Sequence, residues 1–212
     1  MPRWLQICAI LLAAAACSPP APPPASVSVR DLDSAGEPQM RRIIVDGLID
    51  AREWNRADTT EVLLPDGRTV QVLRQRGPDS IDFAFLGLGG NVARNISPGI
   101  LIDVTGNFPS QFGRDTWWFR MAPERCYARG IVEDLECGVQ LTGFEASRYP
   151  QDRRDNLEMR ISFALLEFNP TLTPEVALSV RFAEQALLVD AIWPQTAELR
   201  RPDTWARVDL SR

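Results

Sequence analysis

The sequence predicts an all-β fold, a single antiparallel β-sandwich, and three observations predict it. Apolar and polar residues alternate at period two along most of the chain, helical periodicity is almost absent, and turn residues rather than helices separate the alternating runs. The sandwich is expected over residues 41–212, after a signal peptide at 1–16 and a tether at 17–40. A folded part of about 170 residues suits one domain with a substantial core.

Arg3 supplies a positive start, Leu5 to Leu12 a short apolar run, and Ala14-Ala15-Ala16 the small residues that a signal peptidase needs. The run is too short to span a bilayer. Its ending, Ala14-Ala15-Ala16-Cys17-Ser18, resembles a lipobox, which implies cleavage before Cys17 and acylation of that cysteine with chains such as palmitate. An ordinary secretory signal with an incidental cysteine is the alternative. Ser18 to Ser28 is rich in proline, alanine and serine, favours extended conformations that pack no core, and reads as a tether. Serine after the cysteine resembles an outer-membrane sorting signal. The protein is therefore expected on the bacterial cell envelope, at its periplasmic or surface face, touching the membrane through its anchor only.

Within the domain, Ile43 to Val45 reads as a short strand, and Asp50 to Arg56 as a single helical turn. Glu61 to Leu64 and Thr69 to Arg76 flank the turn residues Pro65-Asp66-Gly67 and form a hairpin. Ile81 to Leu88 alternates Ile81, Phe83 and Phe85 against Asp82, Ala84 and Leu86. Gly99 to Thr105 and Thr116 to Met121 are strands joined by the polar, aromatic loop from Gly106 to Asp115. Cys126 to Leu141 reads as a second hairpin. In Leu157 to Leu165 the residues Leu157, Met159, Ile161, Phe163 and Leu165 share one face, and Val176, Leu178, Val180 and Phe182 repeat the pattern. Trp205 to Leu210 closes a chain of roughly nine strands, the count of a sandwich.

Composition excludes much chemistry. The chain carries 28 acidic and 23 basic residues, a net charge of −5, so it lacks the basic footprint of a nucleic-acid binder. Every basic residue is arginine, with no lysine and no histidine. There is no imidazole to activate a nucleophile or ligate a metal, and no lysine for a Schiff base or a phosphate loop. Of the four cysteines, Cys8 leaves with the signal and Cys17 is the acylated residue. Cys126 and Cys137 remain, and the stretch Tyr127 to Glu136, with Gly130 as a turn position, suits a bridge across two hairpin strands. Two buried free thiols are the alternative.

The stretch Asp46-Gly47-Leu48-Ile49-Asp50, followed by Trp54 and Ala57, resembles the opening of family 9 carbohydrate-binding modules and the related DOMON-like sandwiches. Ile102-Asp103 with the Asp115 to Met121 strand resembles the family's centre. Asn156 to Phe163 resembles its near-terminal strand, with Ser162 where proline is common, and Thr204 to Val208 resembles its closing strand. The resemblance spans Ile43 to Leu210 and implies a DOMON-like sandwich that binds sugars or, in some branches, haem. It implies scaffold roles for Asp46, Gly47 and Asp50 in turns and for Trp54 as a plug at one end. It brings no binding residue with it.

Sugar binding needs flat aromatic faces and polar side chains that fork to pairs of hydroxyls. Alternation in Thr116 to Met121 turns Trp117, Phe119 and Met121 to the core and Thr116, Trp118 and Arg120 away from it, so Trp118 beside Arg120 is the chosen platform. The competing reading has Trp118 covered by a loop or by a stacked arginine. Phe112 and Arg114 in the preceding loop, and Trp193 in a late irregular segment, are further candidates. Asp103 and Asp115 flank that loop and are read as structural hydrogen-bonding residues, since no run has EF-hand spacing; the alternative is a calcium site whose shell backbone carbonyls complete, as in some sandwiches of this type. No metal, cofactor or catalytic residue is expected, and without histidine a haem branch is disfavoured. The expected function is a non-catalytic, monomeric lipoprotein that binds a glycan. The alternatives are an interaction lipoprotein that docks an envelope protein and, further off, a glycosidase using two carboxylates.

Overall fold

The computed structural model describes residues 42–89, 97–121, 124–130, 135–151, 154–184 and 189–211. The expected signal peptide, Cys17 and the tether lie outside them. Twelve strands occur among the described residues: β1 Asp58–Leu63, β2 Thr69–Arg76, β3 Ser80–Leu86, β4 Ser97–Asp103, β5 Thr116–Met121 and β6 Arg125–Arg129, then β7 Glu136–Cys137, β8 Phe144–Gln151, β9 Arg154–Ser162, β10 Glu175–Glu184, β11 Val189–Trp193 and β12 Ala206–Asp209. They form two sheets, a five-stranded one ordered β1-β2-β3-β9-β8 and a seven-stranded one ordered β11-β10-β4-β5-β6-β7, with β12 also paired to β10. Every pairing is antiparallel. The chain is thus an all-β antiparallel sandwich, as its period-two patterning predicts.

The inward registers meet in one core. Ile81, Phe83 and Phe85 of β3 and Leu157, Met159 and Ile161 of β9 face Ile100 and Ile102 of β4, Trp117 and Phe119 of β5, and Val176, Leu178, Val180 and Phe182 of β10. Burying each such side chain contributes about 1.5–3 kcal/mol. Phe119 stacks on Trp117 with ring centroids 5.6 Å apart and leans on Phe144 at 5.0 Å.

The predicted hairpin around Pro65-Asp66-Gly67 is present, with Val62 opposite Val70 and Gly67 at φ 84°, a left-handed conformation that glycine adopts without strain. Three expectations are corrected. Ile43 to Val45 is not a strand: Ile43, 2% exposed, packs on Trp54 and Ala84, and its carbonyl accepts from Arg160 rather than from a neighbouring strand. The strand read through Leu165 ends at Ser162, where the backbone turns and Leu166 N–H donates to the Ser162 carbonyl at 3.3 Å. Trp193 closes β11 rather than lying in an irregular segment, and β8, an edge strand, escapes the pattern because its alternation is short: Phe144 and Ala146 face the core, and Arg148 follows them.

The five-stranded sheet has a second buried face. Residues 43–57 lie across it, and Trp54, expected as a plug at one end, packs instead on Ala84 and Leu73 of that face. The reason is polar as well as apolar. Glu158, buried on the same face of β9, accepts from Trp54 Nε1 at 2.9 Å, Gly47 N at 2.8 Å and Asp46 N at 3.1 Å. Beside it Arg160 Nε donates to Asp82 Oδ1 at 2.9 Å. Burial first of all raises the Glu158 and Asp82 carboxyls above their ordinary values, against the hydrogen bonds of Trp54 and the charge of Arg160 respectively. The expected turn roles hold: Asp46 Oδ1 accepts from Leu48 N at 2.7 Å and Asp50 Oδ1 from Arg52 N at 2.8 Å, while the Asp50 carbonyl closes a single turn by accepting from Glu53 and Trp54.

Candidate functional site

The outward face of the seven-stranded sheet is built from small residues interrupted by a few large ones. Along β4 the outward positions include Gly99 and Leu101, along β6 Cys126 and Ala128, and along β10 Ala177, Ser179 and Arg181. Strand register lines up Ile192, Arg181, Gly99, Arg120, Cys126 and Cys137 in one row across five adjoining pairs. Two guanidiniums therefore flank a glycine. The adjoining row holds Leu101, Trp118 and Ala128.

Trp118 points away from the core, as alternation predicts, while Trp117 and Phe119 point into it. Gly99 lets the indole lie close to the sheet, because a Cβ there would sit 2.5 Å from Trp118 Nε1. Trp118 is only 7% exposed. It belongs to a small second cluster with Leu101, Phe108, Ala177 and Trp205, against which Phe112 and Ile192 pack, and the Arg181 guanidinium lies over its ring at 5.6 Å. The large side chains of the 106–114 loop and of the segment before β12 thus cover an otherwise small-residue surface.

Electrostatics separate the two arginines. Arg181 forks onto Asp190, its Nε and Nη2 donating at 2.9 and 3.0 Å. Arg120 has no carboxylate partner among the described residues, and its buried Nε has no hydrogen-bond partner. Burial, then the charge of Arg181, lowers the Arg120 pKa from its ordinary value. A guanidinium left in this state is a planar donor able to fork onto a carboxylate or onto two adjacent hydroxyls.

The structure brings Trp118, Arg120 and, within the same apolar cluster, Phe112 to one face. Phe112 stands edge-on to Trp205 with centroids 5.8 Å apart. Arg114 lies at the opposite end of β5, exposed, 3.9 Å from Glu167. Trp193 pairs with Val180 and packs on the main core, so it is on the other side of the sheet. Arg181, Asp190 and Gly99 escaped the sequence reading. Their signal was the outward register of β10, where one arginine stands among alanines and a serine.

Cys126 and Cys137 form a disulfide between directly opposed residues of β6 and β7, with Cα atoms 4.1 Å apart. It closes the end of the arginine row. Asp103, fully buried, accepts from the Thr116 hydroxyl at 2.5 Å and from Thr105 N–H at 3.1 Å, and Asp115 lies 3.9 Å from Arg129. Among the described residues no three acidic or cysteine side chains gather as metal ligands.

No protein-family model matches the chain, and no curated protein matches it. Solved structures do. A family 9 carbohydrate-binding module from Caldicellulosiruptor kristjanssonii in complex with cellotriose matches with a TM-score of 0.61 at 12% identity, over 81% of this chain and 90% of that one. A family 9 module from the same organism, in complex with glucose, matches with a TM-score of 0.57 at 10% identity, over 81% and 92%. The fold is that of a family 9 carbohydrate-binding module, as the Asp46 to Trp54 motif and its later partners imply.

Proposed function

We propose that this protein is a lipoprotein of the bacterial envelope, anchored through Cys17, whose sandwich binds a glycan on the outward face of the seven-stranded sheet. The observation that carries the reading is Arg120: a half-buried guanidinium with a partnerless Nε, beside Arg181 and the Trp118 edge, on a fold whose solved neighbours hold sugars. Such a donor forks onto adjacent hydroxyls, and the neighbouring indole offers apolar contact. Binding without catalysis fits this face, which brings together no pair of carboxylates among the described residues.

Titration of the full chain, purified in detergent, against cello-oligosaccharides and envelope polysaccharides tests it. Arg120→Ala should weaken glycan binding at least tenfold while leaving the fold intact. Unchanged binding in that variant refutes the assignment. For the anchor, Cys17→Ser should move the protein from the detergent phase to the aqueous phase.

One observation favours a second reading, docking of an envelope protein. Trp118 is 7% exposed, so the face lacks the open aromatic plane that sugars stack on. Recovery of one stoichiometric protein partner from crosslinked membranes, lost in Arg120→Ala, together with failure on every glycan, selects it.

A further inference from the structure

The Arg120 face leaves two donors unmet, and they lie together. Gly99 stands directly opposite Arg120 on β4, and the Trp118 indole leans over that glycine, its Nε1 2.5 Å from where a Cβ would stand. Trp118 Nε1 and Arg120 Nε are both buried, and neither has a hydrogen-bond partner among the described residues. Buried polar atoms are rarely left in this state, so two on one patch point to a group that binds there. Arg120 as a whole is only half-buried, which keeps part of its guanidinium at the surface.

Both unmet groups are donors alone, since a guanidinium has five N–H groups, an indole has one, and neither has an acceptor. A hydroxyl would bring a proton that neither can accept. An ionised carboxylate only accepts, and its plane matches the guanidinium fork. Charge points the same way. Asp190 is held by the fork of Arg181, and Asp103, four residues along β4 from Gly99, accepts from Thr116 and Thr105. The charge that acts on Arg120 is that of Arg181, which is repulsive. Arg120 is thus unpaired among the described residues, and a hydrogen bond from a charged donor to a charged acceptor is roughly twice as strong as a neutral one.

Resting on the glycan reading of this face, we propose that the sugar it takes is acidic, a hexuronate unit of a polysaccharide whose carboxylate accepts from Arg120 and from Trp118 Nε1. The rest of the saccharide runs along the row past Gly99 to Arg181, two strand spacings or about 10 Å away. There Asp190, its side chain 62% exposed, offers carboxylate oxygens to the sugar's hydroxyl protons. The acidic end of the ligand meets the donor-only end of the row, and its hydroxyls meet the end that can accept.

Calorimetric titration of the full chain in detergent tests this with oligogalacturonate and oligomannuronate, the same two oligosaccharides with their carboxyl groups reduced to alcohols, and oligoglutamate. One acidic oligosaccharide should bind at least tenfold tighter than its reduced form and at least tenfold tighter than oligoglutamate. Arg120→Gln should remove that advantage over the reduced form, Arg120→Lys should keep part of it, and Arg42→Ala, which removes an exposed arginine paired with Glu145 elsewhere, should leave it unchanged. The reduced ligands take away the charge without touching the protein, so this comparison holds even where Arg120→Gln fails to fold. Reduced or cello-oligosaccharides that bind as tightly as the acidic ones overturn the acidic assignment and leave the glycan reading standing. Oligoglutamate binding as tightly as the uronates, or undiminished uronate binding by Arg120→Gln, also overturns it. Silence of every saccharide, acidic and neutral, overturns both.

Discussion

The indole Nε1 of Trp54 donates to Oε1 of Glu158 across 2.9 Å, joining the first described segment to the centre of the five-stranded sheet. The other carboxylate oxygen of Glu158 takes the backbone N–H groups of Asp46 and Gly47. One buried side chain thus holds both the turn and the tryptophan of the Asp-Gly motif.

Trp54→Phe keeps most of the apolar contact and removes one donor from a buried carboxylate, so it should cost about 1–3 kcal/mol of stability. Glu158→Gln should cost a similar amount, because the amide NH₂ meets a donor where an acceptor is needed. Urea unfolding of both single variants and the double variant should give a coupling of at least about 0.5 kcal/mol, as groups in direct contact do. Strict additivity would count against the pairing.

Glu158 also sets a pH dependence. Its folded pKa is raised, chiefly by burial, so its contribution to stability is fully present below the ordinary carboxylate range and is lost as the pH rises through the raised value. Unfolding midpoints should therefore fall less in Glu158→Gln than in the parent as the pH is raised above 4.5, the ordinary value of the group. Asp82 and Glu53 are raised by burial as well, but both are present in the variant, so the difference between the two profiles reports Glu158; exposed carboxyls held low by arginine, such as Asp66 and Glu167, act at lower pH. Parallel profiles would remove Glu158 as the source.

The Cys126–Cys137 bridge spans a sequence separation of 11. Closing a loop of this size stabilises by about 2–3 kcal/mol in the chain-entropy view. The Cys126→Ser, Cys137→Ser double variant should lose about 5–10 °C of melting temperature by calorimetry, given a domain of this size. A melting temperature unaffected by removing both thiols would contradict that account.

Gly99→Ala would place a Cβ 2.5 Å from Trp118 Nε1 and 3.3 Å from the Phe119 carbonyl. Overpacking of this kind costs about 1–3 kcal/mol, and near-ultraviolet dichroism should report a displaced indole. Adding Trp118→Leu should recover part of the loss. A double variant weaker than the sum of its parts would place the clash elsewhere.

The sandwich was legible wherever one face is buried and the other is not. In β5 the alternation of Trp117 and Phe119 against Trp118 and Arg120 assigned both faces correctly. Legibility failed in β8, where only Phe144 and Ala146 alternate inward before polar residues follow, and in β11, a short run whose outward face carries the apolar Ile192. It failed at Trp54 as well, since an aromatic in a turn reads the same whether it closes an end or lies on a sheet. Of the site, Trp118 and Arg120 could be paired because they share one strand. Arg181, the second guanidinium, could not, because it stands on a strand far along the chain and becomes a neighbour only through register.

By itself the sequence determined the class of the fold, the turns, and the lack of lysine and histidine side chains, since these follow from residue types and from periods of two along a single strand. The tertiary structure alone decided that Arg120 and Arg181 flank Gly99, that Trp118 is covered, and that Glu158 receives Trp54. Those contacts join strands distant in sequence, and their register depends on how two whole sheets pack, which no local pattern encodes.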